Sequence, residues 1–174
     1  MMLETERLIL RGWRDDDLDA LAAINADPEV MRYILDGAVR DREQSAAGLR
    51  KMMRDWEVNG FGLFAVEVRD GGAMIGWAGF AVPEFLPEVL PAVEIGWRLS
   101  RHAWGQGYAT EAASAALRFG LDEAGLERIV SIRHVDNVRS ARVMEKLGLM
   151  YEFDTVVPEH SQPVAVHGMT KGSA

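Results

Sequence analysis

The chain has 174 residues, 48% of them apolar, which is one domain's length and enough to bury one sizeable core. The absence of cysteine excludes disulfides and thiolate metal sites and fits a cytoplasmic setting. A net charge of −8, from 27 acidic against 19 basic residues, argues against a protein that tracks nucleic-acid phosphates, and no apolar run approaches the roughly 20 residues of a membrane span.

The opening "MMLETERLIL" has neither a basic start nor a long apolar stretch, so no export signal is expected. Leu8 and Leu10 alternate against Arg7, Ile9 and Arg11, which predicts a first strand. Asp15, Asp16 and Asp17 then stand where a helix dipole favours acids, heading a helix that Pro28 closes. A second helix is predicted over residues 43–58 from Leu49, Met52, Met53 and Trp56. "FGLFAVEVRDGGAMIGWAGFAV" has the form of a hairpin turning at Asp70-Gly71-Gly72. "PEFLPEVLP" is predicted to be irregular, because each proline withdraws a ladder amide. In "AVEIGWRL", Val93, Ile95, Trp97 and Leu99 face one way and Ala92, Glu94, Gly96 and Arg98 the other.

"SRHAWGQGYA" leads from that strand into a helix with the stripe Ala109, Ala112, Ala113, Ala116, Leu117, Gly120, Leu121 and Ala124. A strand "RIVSIRHV", a short helix over 138–147 stopped by Gly148, and strands near 150–157 and 163–170 complete the chain. Hairpins beside strand–helix–strand units predict one α/β domain over 1–174 with a mixed sheet.

The turn before the long helix carries the first functional signal. Gly105 and Gly107 can adopt left-handed backbone angles and leave no side chain over the amides. The first four amides of a helix lack internal partners, and the dipole adds about half a positive charge there. A phosphate or pyrophosphate satisfies both. A plain strand-to-helix connection whose amides face water fits the same residues. Two phosphate-loop motifs do not: there is no lysine for a P-loop, and Thr110 stands where a dinucleotide fingerprint has its third glycine.

"AVEIGWRLSRHAWGQGYATEA" and "HVDNVRSARVMEKLGL", together with "LETERLILRGWRDDDLDAL" and "GGAMIGWAGF", resemble the GNAT superfamily of acyl-CoA-dependent N-acetyltransferases. Within it they are similar to the branch holding the ribosomal-protein N-terminal alanine and serine acetyltransferases. The resemblance spans residues 3–171 and is densest over 92–149. It implies an α/β (α+β) fold with a mixed, mostly antiparallel sheet of about seven strands flanked by about four helices. It also implies acetyl-CoA as cosubstrate, a primary amine as acceptor, no metal, no nucleic-acid or membrane partner, and a monomer or homodimer.

Residue by residue, the resemblance places the pyrophosphate on Trp104, Gly105, Gln106, Gly107, Tyr108, Ala109 and Thr110, with Trp104 where Gln or Arg is usual. Leu99 matches the strand end whose main chain pairs with the pantetheine arm. Asn137 matches a pantetheine-contacting Asn, and it equally reads as the N-cap of the helix that follows. Glu94 takes the role of general base through water, although alternation alone would also leave it a solvated strand glutamate. Ser140 falls near the sulfur, where it would hydrogen-bond the thiolate. Met144 replaces the Tyr found in many members, which opens a second reading: a silent CoA-binding sensor.

His134 is a further acid candidate, and Tyr108 falls too near the pyrophosphate to act. The acceptor is expected among residues 27–37, "PEFLPEVLP" and "VVPEHSQPVAVHG". There Asp36, Glu84 and Glu88 could attract a cationic amine or simply be solvated. His160 and His167 fit no metal-ligand spacing.

Overall fold

The computed structural model describes residues 1–173. Strands β1 (Met2–Glu4) and β2 (Leu8–Arg11) open the chain, followed by helices α1 (Leu18–Asn25), α2 (Pro28–Met31) and α3 (Arg42–Asn59). Then come β3 (Leu63–Val68), β4 (Met74–Ala81) and β5 (Val93–Leu99), helix α4 (Tyr108–Asp122), β6 (Arg128–His134), α5 (Val138–Lys146), β7 (Met150–Val156) and β8 (Pro163–Thr170). The strands form one sheet in the order β1-β2-β3-β4-β5-β6-β8-β7. All neighbours are antiparallel except β5 and β6, which α4 connects. A parallel pair needs such a crossover, and α4 supplies it.

The two elements beyond the expected seven strands and four helices are short. Strand β1 is a three-residue edge paired from Met2 to Arg11. Helix α2 is a single turn that Pro28 begins: Asp27 caps it by accepting the Glu29 amide, and proline suits a first helical position. Asp15, Asp16 and Asp17 form a 3-10 turn before α1, not the first turn of that helix. Asp17 points inward, where Arg11 Nη1 and Nη2 donate to its two oxygens at 2.9 and 2.8 Å and the Arg14 amide donates at 2.8 Å. Arg11 Nε reaches Glu67 on β3 at 2.8 Å.

Helix α3 starts at a reciprocal cap between Asp41 and Gln44 and stops at Gly60, whose φ is +74°. On α4 the stripe Ala112, Ala113, Ala116, Leu117 and Gly120 is buried, and Ala115 and Phe119 widen it. A Cβ at Gly120 would strike the Phe80 ring, so this glycine lets α4 lie close on the sheet. Phe119 meets Phe64 edge-on at 5.5 Å, and Trp56 meets Phe64 at 4.7 Å, which ties α3 and α4 to β3.

One irregularity in the sheet positions everything that follows. Strand β6 pairs with β8 along its whole length, from Arg128↔Thr170 to His134↔Val164. It pairs with β5 only at Val93↔Ile129 and Glu94↔Val130. Ser131 Oγ, donating to the Ile95 carbonyl at 2.8 Å, is the last link before the strands part. The edge of β5 beyond it faces an open cleft.

Candidate active site

Glu94, Gly96 and Arg98 share the β5 face that does not pack on α4, and they line a cavity of about 210 Å³ at the cleft. Tyr33, Ile34 and Arg40 close it from the segment after α2, and Phe85 from the proline-rich loop. Strand β6 contributes Ser131, Ile132, Arg133 and His134, and α5 contributes Asn137, Ser140 and Met144. The structure thus brings Glu94, Asn137, Ser140 and His134 together at one cavity.

Glu94 is half-buried as a residue, and the enclosure of its carboxyl raises its pKa to about 8, with the Ile132 amide pulling the other way. A carboxyl titrating there can exchange protons near neutral pH. Asn137 is the N-cap of α5, its Oδ1 accepting the Ser140 amide at 3.2 Å, and it also lines the cavity. Its role as a cap and its place at the cavity therefore coexist. Met144 is buried at the cavity wall. His134 stacks on Tyr33 with ring centroids 5.3 Å apart. Its Nδ1 accepts the Asp136 amide at 3.1 Å, which leaves Nε2 to carry the proton of the neutral ring.

At the far end of the cleft, Gly105 and Gly107 have φ of +74° and +82°, and Gly107 opens α4 with no side-chain cap. Among the described residues, the backbone N–H groups of 105–110 have no partner within the protein. A Cβ at Gly105 would meet open space, so it is backbone angle and not crowding that selects glycine there. Trp104 ties the turn to the strand end, its indole donating to the Leu99 carbonyl at 3.0 Å, with the Arg139 guanidinium 4.7 Å above the ring. The Leu99 carbonyl keeps a second lone pair.

Arg7 and Glu111 are contributors that sequence patterning did not single out. Arg7 Nε donates to Glu111 at 2.7 Å, its Nη1 donates to the Gln106 carbonyl at 2.8 Å, and the guanidinium lies 4.5 Å over Tyr108. Thr5 Oγ1 also donates to Glu111, at 2.6 Å. Burial opposes the Glu111 charge, and these donors outweigh it, holding the carboxyl below its ordinary range. The acid in the first turn of α4 is thereby paired with Arg7, and the loop is braced from the β2 end of the sheet.

On the acceptor side the structure favours the solvated reading of the three acids. Tyr33, Ile34, Leu35, Phe85, Val157, His160, Gln162 and Val164 line this cavity or an adjoining one of about 90 Å³, so the three expected segments do converge. Asp36, Glu84 and Glu88 line neither. Asp36 accepts the Ala38 amide, Glu88 accepts the Thr155 hydroxyl, and Glu84 is exposed. Arginines stand there instead: Arg40, Arg98 and Arg133. Buried His167 accepts from Arg133 Nε at 3.3 Å. Among the described residues no group of three or more metal-ligating side chains gathers, and no helix is long and apolar enough to cross a membrane.

Residues 7–150 match the family model described as Acetyltransferase (GNAT) domain. The chain belongs to the GNAT acetyltransferase family. It is 32% identical over 164 residues to the uncharacterized N-acetyltransferase YnaD of Bacillus subtilis (strain 168), across 93% of this chain and 91% of that protein. The crystal structure of an acetyltransferase from Agrobacterium tumefaciens str. C58 superposes with a TM-score of 0.84 at 25% identity, covering 98% of this chain and 95% of that one. RimL, a ribosomal-protein α-N-acetyltransferase solved in complex with coenzyme A, shares the fold with a TM-score of 0.80 at 16% identity, over 98% of each chain. GNAT membership implies acetyl transfer from acetyl-CoA.

Proposed function

We propose that this chain transfers acetyl from acetyl-CoA to a primary amine by direct attack in a ternary complex. One observation carries the reading: an enclosed carboxyl, Glu94, shares a cavity with Ser140 and Asn137 where β5 leaves β6, and that cleft ends at a turn of unpaired amides. RimL, the neighbour solved with coenzyme A, supports a CoA-binding role for such a fold.

The residues present fit the cosubstrate. The free N–H groups of 105–110 and the α4 N-terminus suit a diphosphate, with Trp104, Gly105, Gln106, Gly107, Tyr108, Ala109 and Thr110 shaping the turn. The open edge of β5 up to Leu99, and the Asn137 side chain, suit the amide groups of the pantetheine arm. Acetyl-CoA supplies the thioester. The amine must be neutral to attack, whereas α-amino groups titrate near about 7.7–8.0 and lysine near about 10.4. Glu94 takes that proton, directly or through one water, and a pKa near 8 suits the task. The N–C bond forms as the C–S bond breaks. Ser140 donates a hydrogen bond to the departing sulfur, which takes up the second proton, the one the nitrogen sheds once it is acylated.

Free-thiol release from acetyl-CoA over a panel of amines tests the reading, and Glu94→Gln should slow it by about 10²-fold or more. Acetyl-CoA that raises the melting temperature while no amine releases thiol would point to a silent CoA-binding domain.

A further inference from the structure

We infer that the acceptor is a small amine that also carries an anionic group, and that Arg98 and Arg40 receive that group inside the cavity. The inference rests on the acetyltransferase reading and extends it to the second substrate.

Arg98 lies four residues from Glu94 on the same face of β5; their Cα atoms are about 13 Å apart along the strand, and both residues line the one cavity. Its Nη1 donates to Asn25 Oδ1 at 2.8 Å, and Asn25 is itself fixed by donating to Ser45 at 3.1 Å. The guanidinium stacks 4.9 Å over Trp77. Two donors remain unpaired: Arg98 Nε and the Trp77 indole N–H are both buried, and neither has a partner among the described residues. Both side chains line the cavity. Arg40, half-buried across the same space, makes no ion pair among the described residues, and neither does Arg98. Burial, reinforced by the charge of Arg40, pulls Arg98 down to about 9.

This arrangement is costly in the free protein, because buried donors and cations without acceptors are unfavourable. The chain has 27 acidic residues, yet among the described residues it places only Glu94 at this cavity. A carboxylate, phosphate or phosphonate would satisfy the guanidinium, the indole N–H and the second arginine together. Asn25 and Trp77 hold Arg98 in place beforehand, which limits the ordering cost of binding. Cavities of about 210 and 90 Å³ suit a compact molecule whose amine reaches Glu94 while its anion reaches Arg98. A peptide N-terminus would present a neutral backbone to these donors. The transfer balances as above: once Glu94 has made it neutral, the acceptor nitrogen gains acetyl and loses one proton to the sulfur, and coenzyme A leaves as the thiol.

The test compares matched acceptors with the full chain and acetyl-CoA: β-alanine against β-alaninamide, 2-aminoethylphosphonate against propylamine, and a tripeptide amide. The anionic member of each pair should show a kcat/KM at least about tenfold higher. The carboxylate and phosphonate arms identify which anion fits. Arg40→Gln should raise KM for the anionic acceptors more than it lowers kcat and narrow the ratio within each pair, with Arg40→Lys restoring part of it. Amides or the tripeptide reacting as well as the acids would overturn the inference and leave acetyl transfer standing. If no acceptor releases thiol, the transfer reading itself falls. Calorimetry with saturating coenzyme A then decides the anion site: preferential binding of the acids keeps it, and equal or absent binding ends it.

Discussion

At the β2–β3 end of the sheet, Arg11 and Asp17 are 7% and 5% exposed and pair with each other: two oxygens of Asp17 and one of Glu67 surround one guanidinium. Near the β5–β6 cleft, Glu94 and Arg98 are also enclosed, yet neither meets an opposite charge. The pKa directions differ accordingly. Around Asp17, desolvation is outweighed by hydrogen bonds from Arg11 and the Arg14 amide, and the carboxyl falls below its ordinary range. Around Glu94 desolvation wins, and the carboxyl rises to about 8. Satisfied buried charge fixes a turn; unsatisfied buried charge around a cavity is chemistry held in readiness.

Removing one partner from the satisfied cluster should cost the most. Asp17→Ala strands Arg11 beside Glu67 alone and should lower unfolding free energy by about 3–5 kcal/mol, read by urea titration. Asp17→Asn should weaken the acid limb of stability: a carboxyl held below its unfolded value stabilises above that value and loses the contribution as pH falls on through its lower folded value. Next in size, Glu94→Gln should lower kcat/KM by about 10²-fold or more, measured as thiol release, while Asp17→Asn leaves turnover per folded molecule unchanged. Gly107→Ala, at φ +82° with Arg7 3.3 Å from the new Cβ, should weaken acetyl-CoA binding by about tenfold. The smallest effect is the most specific. The raised pKa of Glu94 means that the unfolded state ionises first as pH rises from 4.5, so the native state loses relative stability up to about 8. Glu94→Gln should therefore raise Tm by a few degrees at pH 9 and by almost nothing at pH 4.

Much of the scaffold was readable because its signals are local. Alternation located β2 and β5, the hairpin turning at Asp70-Gly71-Gly72 located β3 and β4, and small residues at helical spacing located α4. The misses were also local: β1 and α2 are too short for periodicity to show, and Pro28 both follows one helix and starts another. Phe119 lies off the small-residue stripe and is buried because α3 brings Trp56 over it at 5.8 Å. At the site, Glu94, Asn137, Ser140 and the glycine turn stand out within short motifs. The Arg7–Glu111 brace spans 104 residues, and no pattern along the chain reports such a pairing. Asp36, Glu84 and Glu88 kept two readings open in the sequence for a related reason. A loop charge shows its sign in sequence but not where its side chain points, and Arg98, a plain alternating strand residue, faces the cavity in their place.

A crystal structure of the chain with acetyl-CoA tests the central claim most directly. The diphosphate should lie on the amides of residues 105–110, with the thioester in the parted β5–β6 cleft beside Glu94 and Ser140. Acetyl-CoA bound elsewhere, with that turn facing solvent, would contradict the assignment of both the turn and the cavity.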